Sequence, residues 1–216
     1  MSGLNEGTGR CQGTARLMIK PVRAVIELGA AEDVLTTALR AVHHANRHGV
    51  MDDFIAVALP SMRMGRDAML PGHELELIGS GKSLTALLGL DGIMSLQRRG
   101  MLETTQVDEV FVELGMVGAA YIRDRACERH TSGWVRRSHA RAQRRGKPVG
   151  KPVRLRDNDT KTLMLSHGNA VLHIREQIGA FTNAALMVNT YGFSGMSVPA
   201  ILPVFPESAR DAEDAA

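Results

Sequence analysis

Residues 31–59 read AEDVLTTALRAVHHANRHGVMDDFIAVAL, and the change of period inside this stretch decides the fold class. Over residues 31–47 the apolar positions Val34, Leu35, Ala38, Leu39 and Val42 return every three to four residues, as one face of an α-helix does. Residues 54–59 form a short apolar run that stops at Pro60, the pattern of a buried strand. A helix followed directly by a strand places the chain in the α+β class.

The neighbouring segments extend the pattern. Upstream, residues 15–28 carry Val22, Ala24, Ile26 and Leu28 in alternation and predict a first strand. Downstream, residues 74–78 alternate again, and residues 83–99 predict a second helix that starts at a Ser cap and stops at Gly100. Residues 107–114 predict another strand. The order is βαββαβ, that of a ferredoxin-like unit, expected over residues 16–116. The first fifteen residues are polar and Gly-rich and predict a disordered extension. Residues 117–206 predict a second domain, with short strands at 161–165, 171–174 and 185–189, and residues 207–216 an acidic tail. A ferredoxin-like fold hosts many unrelated functions, so the site must decide.

Charge gives the first functional direction. The net charge is only +3, yet residues 121–156 hold ten Arg and two Lys against Asp124 and Glu128. The rest of the chain is acidic, with 14 basic and 21 acidic residues. A compact basic segment on an acidic protein is the footprint of a polyanionic partner. A merely solvated helix would interleave acids at ion-pair spacing, and here they are nearly missing. Aromatics make up only 4% of the residues, which argues against gripping single-stranded bases mainly by stacking.

Thr131 or Ser132 can cap a helix from about residue 132 to 145, ended by Gly146 and Pro148. Arg137, Arg141, Arg144 and Arg145 share one face of it, with Arg136 to the side. Arg123 and Arg125 precede the helix in the same basic stretch. Guanidinium forks pair with phosphates and with guanine edges. The major groove of A-form RNA is too narrow for such a helix except at an end, bulge or loop, so a short stem-loop suits it.

Cys11 and Cys127 lie far apart without CxxC spacing, so neither a disulfide framework nor a zinc site is indicated and a reducing cytoplasm is expected. No apolar run approaches the roughly 18 residues needed to span a bilayer, so no membrane partner is expected. His44 and His48 have a metal-compatible spacing but no nearby third ligand, so no metal and no cofactor is expected. The alternatives for His43, His44 and His48 are ordinary helix histidines or a proton-transferring imidazole. Gly79-Ser80-Gly81-Lys82-Ser83 resembles a P-loop only briefly, because Glu76 stands where that pattern needs Gly.

Taken together these pieces resemble the repeat-processing endoribonuclease of the type I-F CRISPR system. The stretch from Leu39 to Asn46 is similar to the family's first helix, and residues 54–60 to the strand after it. The Arg-rich helix is similar to the stem-binding helix, and Tyr191-Gly192-Phe193-Ser194 to the C-terminal motif. The resemblance spans about residues 22 to 205. It implies metal-independent cleavage at the 3′ base of a CRISPR repeat stem-loop, leaving a 2′,3′-cyclic phosphate and a 5′-OH. It implies His43 or His44 as the base, Ser166 to orient the ribose, Tyr191 to hold the histidine or the backbone in place, and Arg125 to read a guanine near the stem. Other subunits of the type I-F effector complex would be partners. Met164 stands where the family has a second serine, Cys127 where it has a glutamine, and Ala170 or Val171 where it has an aromatic. A catalytically weak or inactive hairpin-binding subunit is therefore the alternative, beside an unrelated ferredoxin-like RNA-binding protein.

Overall fold

The structure is a computed structural model that describes residues 4–5, 7–66, 69–125, 132–148, 163–167 and 170–205. In chain order its elements are β1 (Thr8–Cys11), β2 (Ala15–Pro21), α1 (Arg23–Glu27), α2 (Ala31–His48), β3 (Ala56–Ala58), β4 (Arg63–Met64), β5 (Met69–Leu70) and β6 (Leu75–Gly79). Then come α3 (Gly81–Leu88), α4 (Asp91–Arg98), β7 (Leu102–Thr104), β8 (Asp108–Glu109), β9 (Val117–Arg123) and α5 (Ser132–Arg144). The chain closes with β10 (Leu163–His167), β11 (Ala170–Ala180), β12 (Leu186–Asn189) and β13 (Leu202–Pro203). It is an α+β protein with antiparallel sheets.

One sheet has the strand order β3-β6-β2-β7, with β8 as an extra pairing on β2. α2, α3 and α4 pack together, with α2 and α3 against β2 and α4 against β7. α2 buries Val34, Leu35, Ala38, Leu39, Ala41 and Val42, the stripe that its sequence period sets. Glu32 and Asp33 in its first turn and Arg47 and His48 in its last oppose the helix dipole at each end. The second sheet runs β10-β11-β9-β13 and joins β12 through bridges at Ser194. A single buried cluster continues from Leu39, Val42 and Phe54 to Tyr121, Leu163, Leu165 and Phe193, so both halves of the chain share one core.

Several expectations need correction. Within the fifteen residues expected to be a disordered extension, Thr8–Cys11 form β1, which pairs with β12 from Thr8↔Asn189 to Cys11↔Leu186. Glycine here permits close approach rather than disorder: a Cβ on Gly9 would sit 2.6 Å from the Met51 carbonyl oxygen. The first strand ends at Pro21 rather than at residue 28, and α1 follows. Val22, Ala24 and Ile26 alternate, but the side chain that α1 buries is Val25, and Leu28 is 83% exposed.

The helix expected over residues 83–99 is two helices, α3 and α4, broken at Gly89 and Leu90. Its cap is Ser80, whose Oγ accepts from the Ser83 N–H at 3.0 Å while Ser83 Oγ accepts from the Ser80 N–H at 3.2 Å. The fourth strand of the sheet is β7, not residues 107–114. Only Asp108 and Glu109 pair there, because Glu109 lies opposite Ala15 and β2 begins at that residue, so the partner runs out. Phe111 and Leu114 are accordingly exposed. In the second half β11 extends to Ala180 instead of stopping at residue 174, since β9 takes over from β10 as its partner.

Candidate functional site

The last turn of α2, the lead into β3 and the 189–195 turn meet at one buried residue, Asn46. Its Oδ1 accepts from the Ile55 N–H at 2.7 Å, and its Nδ2 donates to the carbonyls of Ile55 at 2.9 Å and Thr190 at 3.3 Å. Asn46 is 1% exposed, so these bonds satisfy a side chain that water does not reach. They fix the turn that follows Thr190 against the helix. A second asparagine shapes that turn: Asn189 Oδ1 accepts from the N–H of Tyr191 at 2.8 Å and of Phe193 at 3.4 Å. Gly192, at φ +84, donates its N–H to the Asn189 carbonyl, and its own carbonyl accepts from the Val57 N–H at 2.9 Å. Phe193 enters the core, and Ser194 Oγ accepts from the Ala200 N–H at 2.9 Å. Ser194 is thus spent on holding the turn.

This scaffold brings three predicted residues together. The His43 imidazole stacks on the Tyr191 ring, with centroids 4.1 Å apart and planes within 10°. The Arg123 guanidinium lies over the same ring, with Cζ 4.9 Å from its centroid. His43, Tyr191 and Arg123 are all half-buried. His44 is exposed and meets a neighbour on its own helix, His48, whose ring is tilted against it at 4.3 Å. Consecutive residues on a helix point about 100° apart. The docking of α2 therefore presents His43 to the turn and leaves His44 outside.

Ser166 lies on β10 opposite Val171, and β10 packs against α2. Met164, two residues earlier on the same strand, is 52% exposed. β9 ends at Arg123. The next residue, Asp124, is buried and holds the Arg175 guanidinium at 3.0 Å, after which Arg125 emerges exposed. On α5, Arg136, Arg137, Arg141 and Arg144 are exposed, with Arg145 just past the helix end and Gly146 at φ +61. Arg137, Arg141 and Arg144 lie on one face by their spacing of four and three. Cys127 and residues 149–162, which include the end of the basic segment, lie outside the described residues, as does the expected tail at 207–216.

A separate group of ionisable side chains sits between the two sheets. Glu76 is 2% exposed, and burial pushes its carboxyl up to about 7 although Arg16, at 3.8 Å, pulls the other way. Glu74 beside it pairs with Lys20 and accepts from Ser61 Oγ. Tyr121 faces its cross-strand neighbour Glu176, and burial first, then that carboxylate, raise its hydroxyl far above the usual range. Glu176 is also raised, by burial, against the opposing effect of the tyrosine hydrogen bond.

Sequence reasoning missed Asn46, Asn189 and the Asp124–Arg175 pair. Asn46 was visible as a polar residue four positions after Val42 on the apolar stripe, and Asn189 as an asparagine two residues ahead of Tyr191-Gly192. The ion pair joins distant parts of the chain and had no such signal. Among the described residues no group of three or more His, Cys, Asp or Glu side chains is placed to hold a metal, and no helix is long and apolar enough to cross a membrane. The sequence matches no protein-family model and no curated protein.

Proposed function

We propose that this protein is a metal-independent endoribonuclease that cuts CRISPR precursor RNA at the 3′ base of the repeat stem-loop and stays bound to the hairpin within a type I-F effector complex. The observation that carries the reading is the stacking of His43 on Tyr191, one of the two candidate bases on a residue that the resemblance also gives a role at the cleavage site. His43 takes the proton of the ribose 2′-OH. The 2′ oxygen then bonds to phosphorus, the bond from phosphorus to the 5′ oxygen breaks, and that oxygen takes a proton from water, to which the His43 imidazolium returns its own. The products are a 2′,3′-cyclic phosphate and a 5′-OH. Ser166 orients the ribose and Tyr191 the imidazole, so the rate comes from positioning and proton transfer.

The exposed guanidiniums of Arg136, Arg137, Arg141, Arg144 and Arg145 bind the stem phosphates, with Arg123 and Arg125 at the junction to the cleavage site. In this reading residues 15–104 are a ferredoxin-like unit. The antiparallel order β3-β6-β2-β7, with helices after β2 and after β6, supports it. Because the product keeps the whole stem interface, the enzyme turns over once.

A catalytically weak or inactive hairpin-binding subunit is the second reading, favoured by Met164, which stands on β10 where the resemblance calls for a second serine. One incubation decides between them. Repeat RNA is mixed with the protein in EDTA, and cleavage at the stem base, lost in His43→Ala, is expected. Tight binding with no product overturns cleavage and leaves the second reading.

A further inference from the structure

Arg123 differs from the arginines of α5 in what it touches. Their side chains are exposed, whereas the Arg123 guanidinium is half-buried and lies over Tyr191, the ring on which His43 stacks. A guanidinium is charged at every working pH and is planar, so over an aromatic ring it supplies both a fixed positive charge and a flat stop. The two ring distances place Cζ no further than about 9 Å from the imidazole, comparable with the Debye length in physiological salt. The half-buried tyrosine ring keeps water out of part of the gap, which weakens screening further.

Other charged groups lie on α2 and on the elements packed against it. On α2 itself, Arg40 lies three residues before His43 and Arg47 four residues after it, and His44 is adjacent. Of the elements packed against α2, β10 has His167 in its sequence, β2 has Arg16 and Lys20, α3 has Lys82, and α4 has Asp91 and Arg98; the 189–195 turn has Tyr191. The acids on these elements are Asp91 at the start of α4 and Glu32 and Asp33 in the first turn of α2, which is about 15 Å along the helix from His43. Each positive neighbour opposes the addition of a proton to the imidazole, and a general base must be neutral to work.

We propose that Arg123 is a positioning residue for His43, setting through the Tyr191 ring the plane on which the imidazole rests and holding it in its proton-accepting form. The inference rests on the proposed cleavage reaction for its purpose, but its physical content is a property of the protein without RNA.

The test is therefore a histidine titration followed by NMR on the RNA-free protein. His43 is assigned among the eight histidines by the signal that disappears in His43→Gln. In Arg123→Gln the titration midpoint of His43 is expected to move up by about half a unit to one unit, the size of one screened charge at this distance. In Arg123→Lys, which keeps the charge, it is expected to stay near that of the parent protein. An unchanged midpoint in Arg123→Gln, or equal shifts in both variants, overturns the proposal. The acid limb of the single-turnover cleavage profile should move by the same amount in Arg123→Gln. A shifted midpoint in a protein that cuts no RNA supports the role of Arg123 and overturns the cleavage reading alone. Circular dichroism of both variants confirms that the fold is retained before titration.

Discussion

Asn46 and Ile55 exchange two hydrogen bonds, side-chain oxygen to backbone N–H and side-chain amide to backbone carbonyl, at 2.7 and 2.9 Å. A third bond from the same amide reaches Thr190, next to Tyr191. Asn46→Ala leaves the Ile55 N–H without its partner in a buried place, and is expected to destabilise the fold by about 2 to 4 kcal/mol. Urea unfolding measures this directly. Because the Thr190 bond is lost as well, the variant is also expected to cut RNA more slowly than its residual stability explains.

Gly192 occupies the left-handed region at φ +84, where a Cβ would lie 2.5 Å from Val57 Cγ2 and 2.9 Å from the Ile55 carbonyl oxygen. Both the backbone conformation and the space oppose a side chain. Gly192→Ala is expected to cost roughly 2 to 4 kcal/mol and to displace Tyr191 from His43. Denaturant midpoints report the first effect, and the NMR environment of the His43 ring reports the second.

His43 and His44 separate cleanly in this geometry, because only His43 meets Tyr191. His43→Ala is expected to reduce single-turnover cleavage by about a hundredfold or more, while His44→Ala stays within a few-fold of the parent. Neither change touches the arginines of α5, so hairpin affinity should be kept in both. Equal loss in the two variants would assign the base to neither residue on this basis.

The α5 arginines act through phosphates. Changing Arg137 and Arg141 together to Ala is expected to weaken hairpin binding and to lower the slope of log affinity against log salt by roughly one to two. A fluorescence titration at several salt concentrations gives both numbers. Unchanged affinity would remove this helix face from the interface.

Glu76 gives stability a pH dependence of definite sign. Its folded value of about 7 lies above the ordinary 4.5, so the folded state binds the proton more tightly than the unfolded chain does. The stabilisation is complete below about pH 4.5 and is lost as pH rises through about 7. The full span is worth about 3 kcal/mol at most. Glu76→Gln is expected to flatten this slope, so that its stability relative to the parent improves from mildly acidic to neutral pH. Urea midpoints across that range measure it.

Much of the fold was legible because local periods are strong signals. α2 was visible in its apolar stripe, and α5 in a basic run that Gly146 ends. Errors came where pattern and partner disagreed. Residues 107–114 alternate like a strand, yet β2 offers them only Ala15 and Arg16 to pair with. The glycines near the N-terminus looked like disorder, whereas Gly9 lies where the backbone of residue 51 passes close by. Alternation and composition describe one segment, and pairing needs two.

For the site, the sequence by itself determined which residue types were present and where the positive charge lay. It placed two histidines side by side and an asparagine at the end of the apolar stripe. It left open which imidazole faces the Tyr191 turn, because neighbours on a helix differ by about 100° of rotation and only docking selects one. The tertiary structure decided that choice by packing α2 against the second sheet. It also set Arg123 over the Tyr191 ring, at the end of a strand that begins 69 residues after α2 ends. Contacts across such separations arise from burial shared by distant segments, which no local pattern encodes.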